Sequence, residues 1–293
     1  MYIYSHIMSL HLSKINDIAI EPVIDNSKIN PKKIVGYDWF PEPYANVALV
    51  ARKMSGKTTV IYRALEKCAV KGCNIMIFAS TVNNDSTYKK MVSMLKKKGC
   101  NVTTDTHFID ERGIDQIKLF LDILSKGDET EVTGHDEIPK SFVDRGQFDH
   151  LMKPVEGEKK KKKKQKKKST KIVPDTILVF DDMSSCMRSP IISRLLTKNR
   201  HYKLKIFIAC HSIVNLDRQG LRMIDYFMVF PNINEEKMEE LADKVGISFK
   251  GDTKKHKILW DIYSDATKDP YNFLYIDRVK CQYRKNFNEI YEI

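Results

Sequence analysis

The sequence predicts an α/β fold in which a mainly parallel central sheet is flanked by helices. Three observations predict it. Short, continuous apolar runs recur along the chain, as expected for strands that are buried on both faces of a parallel sheet. Amphipathic stretches with apolar residues at helical spacing separate these runs. Several of the runs end in polar residues, and ligands of parallel sheets bind at the carboxyl ends of the strands.

The domain organisation follows from where this alternation is present. The chain has 293 residues, of which 42% are hydrophobic, so it can bury a full α/β core. We predict one domain over residues 47–293, preceded by an N-terminal extension, residues 1–46. Residues 125–171 lose the periodicity and are predicted to be a lysine-rich, largely disordered insertion. No run approaches the ~18 uncharged apolar residues of a membrane helix, so no membrane span is expected.

The basic character of the chain is concentrated in the insertion. The formal net charge is +12, and Lys159–Lys164 with Lys166–Lys168 carry nine positive charges, which leaves +3 for the rest. Such a tract can bind nucleic acid by releasing counterions, act as a nuclear-import signal, or be a solvated linker. The sequence leaves these three interpretations open.

The first core strand, Val47–Val50, runs into a phosphate-binding loop of the pattern small-x-x-x-x-Gly-Lys-Thr. Ala51 stands where this pattern usually has glycine. The strand before the loop and the helix predicted after it, Thr59–Val70, are the context that the motif requires. The predicted nucleotide-binding residues are Ala51, Arg52, Lys53, Met54, Ser55, Gly56, Lys57, Thr58 and Thr59.

The residue types of this loop match the chemistry of a nucleoside triphosphate. Backbone N–H groups and the positive end of the helix dipole hold phosphate. Gly56 allows the backbone to approach the phosphate closely. Lys57 is the predicted catalytic cation on the β- and γ-phosphates, and the Thr58 hydroxyl is a predicted Mg²⁺ ligand.

The next stretches continue the alternation of strand and helix. Strands are predicted at Asn74–Ser80 and Asn101–Ile109, and helices at Tyr88–Lys98 and Ile114–Leu124. The helix from Tyr88 has a basic face, which is either a solvated surface or a DNA contact.

A second motif ends the apolar run Thr176–Phe180 with two carboxylates, Asp181 and Asp182. Asp181 is predicted to hold Mg²⁺, as in a Walker B strand. Asp182 is the predicted catalytic carboxylate that polarises the attacking water. The alternative is that the two acids only cap the following turn.

The rest of the chain is predicted to continue the same fold. Its predicted elements are helix Ser189–Lys198, strand Leu204–Cys210, a polar turn at 215–220, strand Met223–Phe230, helix Glu235–Val245 and a closing hairpin of Ile258–Tyr263 with Phe273–Ile276. Ser189 is a plausible N-cap, followed by Pro190 at the first helical position.

The order of these motifs resembles a known family. Ala51–Thr58, Ile177–Asp182, Asn199–Tyr202 and the strand ending at His211 occur as in genome-packaging ATPases of large double-stranded DNA viruses of eukaryotes, which belong to the FtsK–HerA superfamily. The resemblance runs from about Trp39 to Ile276. It implies a RecA-like P-loop core that hydrolyses ATP with Mg²⁺, forms a homo-oligomeric ring and translocates viral double-stranded DNA.

The resemblance also implies partners and a place. A capsid or portal-region protein would receive the DNA. The chain would work in the cytoplasm of the host cell, in a viral factory, or in the nucleus, and would also occur in the virion.

The chain departs from the family pattern at two positions, which usually hold glycine at Ala51 and glutamine near His211. The first change is sterically mild. The second means that His211 or Ser212 would replace an amide as the sensor of the γ-phosphate, with His211 the predicted catalytic residue.

Arg200 is predicted to act on the nucleotide of a neighbouring subunit. It precedes strand Leu204–Cys210, and seven residues at ~3.3 Å each place it roughly 23 Å from its own phosphate loop. In a head-to-tail ring it would serve as an arginine finger, with Arg194 as the competing candidate.

Other readings of the motifs remain as alternatives. A nucleoside or nucleotide kinase is the runner-up, although it would need an arginine-bearing lid, and the insertion is rich in lysine only. A nucleic-acid-binding protein that uses the lysine tract would leave both nucleotide motifs unexplained. A two-lobed helicase needs a second RecA-like domain, and an ABC-type ATPase needs an L-S-G-G-Q stretch, which is missing.

Overall fold

The computed structural model describes residues 30–110, 113–132, 171–183, 186–212, 216–247, 249 and 255–292, with backbone alone for 126–132 and 255. The chain divides into two compact units, residues 1–30 and residues 31–293. The first unit lies, apart from Asn30, outside the described residues. The same is true of residues 133–170, which include the lysine tract. The predicted disorder of the insertion therefore stays a prediction.

The second unit is built on one sheet, which has nine strands in its described part, in the order β3-β2-β4-β5-β1-β6-β7-β8-β9. The strands are β1 (Asn46–Val50), β2 (Asn74–Ala79), β3 (Asn101–Asp105), β4 (Thr176–Asp181), β5 (Leu204–Cys210), β6 (Tyr226–Val229), β7 (Leu274–Asp277), β8 (Gln282–Lys285) and β9 (Glu289–Tyr291). Strands β1 to β6 pair in parallel, and β7 to β9 extend the sheet in antiparallel fashion beyond β6.

Helices cover both faces of this sheet. They are α1 (Lys57–Cys68), α2 (Ser86–Lys97), α3 (Gln116–Val132), α4 (Pro190–Thr197), α5 (Arg218–Arg222), α6 (Glu235–Val245) and α7 (Lys255–Ala266). Buried residues of α1 and α2 share one apolar cluster, and those of α3 to α7 share another. Successive strand residues alternate between the clusters: Ala48 and Val50 face one, and Val47 and Leu49 face the other. The molecule is thus three layers with two cores.

The predicted fold class, a RecA-like P-loop core with a mainly parallel sheet between helices, is confirmed. The predicted start of α4 is confirmed in detail. Ser189 Oγ accepts a hydrogen bond from Ile191 N at 3.3 Å, and Pro190 takes the first helical position, where no backbone N–H is needed. Gly246 ends α6 with φ = 72°, a left-handed conformation that suits glycine.

The predicted closing hairpin is wrong. Ile258–Tyr263 lies inside helix α7, and β7 pairs instead with β6 and β8. The buried residues Leu259, Ile262, Tyr263 and Ala266 are spaced at i, i+3, i+4 and i+7, which is the period of a helix that buries one face. The short apolar run around Trp260 fits a strand as well as a helix, so the helical spacing was not recognised.

Other boundaries also differ from the prediction, two of them in a way that changes the element. Part of the predicted polar turn at 215–220 belongs to α5, because Asp217 caps this short helix by accepting a hydrogen bond from Gly220 N at 2.5 Å. Helix α3 continues to Val132, eight residues into the predicted insertion. The charged residues there have no apolar period, yet glutamate and lysine are good helix formers.

Candidate active site

The phosphate-binding loop joins β1 to α1 at the carboxyl edge of the sheet. Ala51 is buried, and its N–H donates to the Cys210 carbonyl at 3.0 Å, so the start of the loop is fixed to the end of β5. Ser55 Oγ donates to the Arg52 carbonyl at 2.6 Å, which closes the loop on itself. Met54, at the tip, has φ = 63° and is 95% exposed.

Gly56 sets the step from loop to helix. It is the N-cap of α1 with φ = 91°, a conformation that L-residues rarely adopt. A Cβ at this position would lie 3.3 Å from Cδ1 of Tyr271, an aromatic residue that is 70% exposed. No sequence motif indicates Tyr271, because its position beside the loop depends on the turn after α7.

Lys57, Thr58 and Asp181 meet at the first turn of α1. Lys57 Nζ lies 3.1 Å from Asp181 Oδ1, and the Thr58 hydroxyl donates to Asp181 Oδ2 at 3.3 Å. The lysine contact is an ion pair without hydrogen-bond alignment, so Oδ1 is a buried oxygen with no hydrogen-bond donor. The three residues predicted to hold the phosphates and the metal are therefore brought together.

Tyr88 is a member of this site that no sequence motif indicates. It lies on the first turn of α2, is 1% exposed, and donates its hydroxyl to Asp181 Oδ2. Burial, and then the charge of Asp181, raises the pKa of Tyr88, so the hydroxyl stays protonated and remains a donor. Tyr88 reaches Asp181 because β2, which precedes α2, pairs with β4. The sequence of the helix alone carries no sign of this contact.

Asp182 follows the strand in a left-handed conformation with φ = 59°. Aspartate tolerates this backbone better than most residues with a side chain. Asp182 N donates to the Ala209 carbonyl at 3.0 Å, so the carboxylate is anchored between the ends of β4 and β5.

His211 links this carboxylate to the phosphate loop. Its Nδ1 lies 2.9 Å from the Ala51 carbonyl, and its Nε2 lies 3.1 Å from Asp182 Oδ1. A carbonyl oxygen only accepts hydrogen bonds, so Nδ1 carries a proton. Nε2 is buried and makes no hydrogen bond, so its contact with Asp182 is a close approach of the ring to the carboxylate.

Ser212, the alternative sensor, has a different position. It lines a cleft beside the phosphate loop together with Arg52, Asn232 and Lys237. His211 lines the same cleft but also contacts Asp182, a contact that is described for His211 and not for Ser212. His211 is therefore the candidate that contacts the predicted catalytic carboxylate, and the choice of sensor stays a prediction.

Arg200 and Arg194 are not part of this cluster. Arg200 lies in the turn before β5, at the opposite end of that strand from His211, and its side chain is 61% exposed. Its Nη2 lies 3.3 Å from Asp225 Oδ1. Arg194 is exposed on α4. Both are consistent with the prediction that neither arginine acts on the nucleotide of its own subunit.

The residues present fit a nucleotide with Mg²⁺. Asp181 supplies a buried carboxylate oxygen without a hydrogen-bond donor, and Thr58 supplies an adjacent hydroxyl. Carboxylate, hydroxyl and phosphate oxygens are the ligands that Mg²⁺ prefers. Gly56 allows the backbone to approach a phosphate closely at the N-terminus of α1, where the N–H groups and the helix dipole favour phosphate binding. Within the described residues, no group of His, Cys, Asp and Glu with the geometry of an all-protein metal site occurs.

Residues 146–286 match the family model of the Poxvirus A32 protein. This segment contains Asp181, Asp182, Arg200 and His211, while the phosphate loop precedes it. No curated protein sequence matches the chain.

Several solved structures are similar in fold. The DNA-packaging ATPase B204 of Sulfolobus Turreted Icosahedral Virus is 15% identical, with a TM-score of 0.48 over 85% of this chain and 98% of that one. The genome packaging NTPase B204 of Sulfolobus turreted icosahedral virus 2, in complex with ATP-gammaS, is 14% identical, with a TM-score of 0.45 over 86% and 98%. ATPases 2 and 3 of EssC from Geobacillus thermodenitrificans are 10% identical, with a TM-score of 0.43 over 80% and 38%.

None of the helices in the described part of the chain is both long and apolar enough to cross a membrane. The assembled phosphate loop and Walker B carboxylates confirm the prediction that the chain is an enzyme of the ATPase class. The resemblance to viral genome-packaging ATPases is likewise confirmed by the match of residues 146–286 to the family model of the Poxvirus A32 protein.

Proposed function

We propose that this chain is an ATP-driven motor that translocates viral double-stranded DNA into a capsid. The observation that carries the proposal is the convergence of Lys57, Thr58 and Asp181 with the Asp182–His211 pair at one edge of the sheet. The match of the second half of the chain to the Poxvirus A32 protein family supports it.

Each residue of the site has a role in hydrolysis. Lys57 places a positive charge where the transferring phosphate develops negative charge, a large term in phosphoryl transfer. Thr58 and Asp181 would hold Mg²⁺, which neutralises phosphate charge when bound. Asp182 orients the attacking water and accepts its proton, and His211 fixes the position of that carboxylate.

The proposal includes a head-to-tail ring in which Arg200 completes the site of the next subunit. Arg200 is exposed, although its ion-pair partner Asp225 is mostly buried. Because the guanidinium end of the pair faces solvent, it can turn from Asp225 towards a phosphate of a neighbouring subunit. An arginine supplied in this way can raise the rate of hydrolysis by 10³ or more.

Further parts of the proposal concern partners and place. A capsid or portal-region protein receives the DNA, and the chain works in a cytoplasmic viral factory or the nucleus and is carried in the virion. The lysine tract offers DNA a second, sequence-independent attachment.

Steady-state hydrolysis with and without duplex DNA tests this function against the alternative of a nucleoside or nucleotide kinase. The motor should hydrolyse ATP to ADP and phosphate without a phosphoryl acceptor, and duplex DNA should accelerate it. Hydrolysis that ignores DNA, together with phosphoryl transfer to a nucleoside or nucleotide, would establish the kinase instead.

A further inference from the structure

Helix α2 carries an unusually one-sided set of charges on its outer face. Lys89, Lys90, Lys96 and Lys97, here called the basic stripe, are all exposed, and Ser93 lies exposed between them. At 100° per residue these five positions fall within an arc of about 120°. The buried residues Tyr88, Met91 and Leu95 occupy the opposite side. The stripe is therefore a continuous surface.

The stripe has no acidic counterpart within α2, whose twelve residues include no aspartate or glutamate. Helix α6 shows the contrast, because its surface is mostly acidic: it contains Glu235, Glu236, Glu239, Glu240 and Asp243. Lys98 follows the stripe, and Lys71 lies beside the end of α2, with its Cγ 2.9 Å from where a Cβ on Gly99 would be. These lysines extend the positive surface past the end of the helix.

The needs of the helix do not account for the whole stripe. Lysines near a helix C-terminus are favoured by the helix dipole, which accounts for Lys96 and Lys97. Lys89 and Lys90 lie in the N-terminal half of α2, where the dipole gives cations no advantage and where Asp85 already caps the helix by accepting from Thr87 N at 2.7 Å. The helix dipole therefore does not account for these two lysines.

We propose that the basic stripe binds the phosphate backbone of the duplex DNA that the motor moves; this inference rests on the proposed function. From Lys89 to Lys97 the stripe spans about 12 Å, enough for roughly three phosphates of one strand at ~3.4 Å each along the axis. Lysine and serine side chains make phosphate contacts without reading bases, as a translocase of arbitrary sequence requires.

The position of α2 also gives DNA a short route to the nucleotide. Tyr88, which donates to the metal-binding carboxylate of Asp181, is the residue immediately before Lys89. In this arrangement DNA binds the outer face of α2, while Tyr88 on the inner face contacts the Walker B carboxylate. If bound DNA displaces α2, the hydrogen bond from Tyr88 to Asp181 changes with it. Binding of DNA to the stripe should therefore alter the rate of ATP hydrolysis.

The test replaces the four lysines of the stripe by glutamine in the full chain. Glutamine keeps the length and the helix propensity of lysine and removes the charge. The matched control removes four exposed lysines elsewhere, namely Lys118, Lys257, Lys268 and Lys280. Thermal unfolding checks the fold of both variants, and Lys89→Gln/Lys90→Gln alone serves if the larger change impairs folding.

Binding of a labelled duplex of random sequence is measured against salt concentration. The slope of log K against log[salt] is negative, and loss of the stripe should make it shallower. The expected change is about 0.9 for each lysine that contacts a phosphate, so about 2 to 4 in total. The control variant should change the slope by less than about 0.9, the value for one phosphate contact. Basal hydrolysis should stay the same in both variants, while acceleration by DNA should be lost only with the stripe.

The outcomes separate this inference from the proposed function. If the wild-type chain binds duplex DNA and the stripe and control variants show the same salt dependence of binding, the inference is overturned. The proposed function as a DNA motor would be unaffected by that result. A wild-type chain that neither binds duplex DNA nor responds to it would overturn both. The stripe variant could instead lose binding to polyglutamate while it binds DNA as tightly as the wild-type chain does. That result would assign the stripe to an acidic protein partner and would also overturn the inference.

Discussion

His211 Nε2 lies 3.1 Å from Asp182 Oδ1, while Nδ1 of the same ring lies 2.9 Å from the Ala51 carbonyl. One side chain at the end of β5 thus contacts both the first residue of the phosphate loop and the residue after β4. The ring therefore lies between the phosphate loop and the carboxylate of Asp182. We expect His211 to act as a positioning residue for Asp182.

The first prediction concerns the group that His211 presents to Asp182. His211→Ala should lower kcat for ATP hydrolysis by about 10²-fold with little change in KM, because the carboxylate loses its support but the phosphates do not. His211→Gln should retain most of the rate, since its amide N–H can reach the place of Nε2. A glutamine variant as slow as the alanine variant would show that an amide cannot replace the ring.

The second prediction separates the two Walker B carboxylates. Asp181→Asn should weaken binding of Mg²⁺-nucleotide, because it removes charge from the oxygens beside Lys57 and Thr58. Asp182→Asn should leave binding nearly intact and slow hydrolysis by about 10²–10⁴-fold, as loss of a general base does. Nucleotide titration and single-turnover hydrolysis measure the two effects. Equal effects of both changes on affinity and on rate would contradict this division of roles.

The third prediction concerns Tyr88, which supports Asp181 from α2. Tyr88→Phe removes one buried hydrogen bond to a carboxylate and should cost about 2 kcal/mol of folding stability. It should also raise the Mg²⁺ concentration needed for half-maximal hydrolysis by about 10–100-fold, because a group that orients a metal ligand is lost. Tyr62→Phe, on α1, is the control, because Tyr62 has no described hydrogen bond to the site. Unchanged Mg²⁺ dependence in the Tyr88 variant would limit that residue to packing.

The fourth prediction places Arg200 on the nucleotide of a neighbouring subunit. Arg200→Ala and Lys57→Ala should each abolish most hydrolysis, since one lacks the finger and the other lacks the cation of the phosphate loop. Mixed rings should regain activity, because a Lys57→Ala subunit still offers Arg200 to the intact site of its neighbour. No recovery in rings that demonstrably contain both variants would count against a finger in trans.

Asp225→Asn is the control for the fourth prediction. It removes the ion pair of Arg200 but keeps the arginine. Burial raises the pKa of Asp225, so a neutral side chain should be tolerated there. If hydrolysis falls as far in Asp225→Asn as in Arg200→Ala, the pair serves the structure and Arg200 is not the finger.

The sequence was sufficient to predict the parts of the fold that rest on local patterns. Strands β1, β2, β4 and β5 are continuous apolar runs, and such runs are distinctive because both faces of the sheet are covered. The phosphate loop and the two carboxylates follow these strands directly. Parallel pairing then brings their carboxyl ends to one edge, so Lys57, Thr58, Asp181 and Asp182 could be assigned to one site.

The features that were missed depend on which elements lie side by side. Tyr88 joins the site only because β2 pairs with β4, although more than ninety residues separate Tyr88 from Asp181 along the chain. Tyr271 reaches Gly56 through the turn after α7, a helix that was interpreted as a strand. Strand order is a property of the whole sheet, and no short stretch of sequence encodes it.

The central claim is that hydrolysis drives movement along double-stranded DNA, and a triplex-displacement assay tests it most directly. The full chain is given a duplex that carries a third strand, with ATP and Mg²⁺, and release of the third strand is followed. We expect release that requires ATP hydrolysis and is lost in Lys57→Ala, because that variant lacks the cation on the transferring phosphate. Hydrolysis at the normal rate on this DNA without any displacement would contradict the claim.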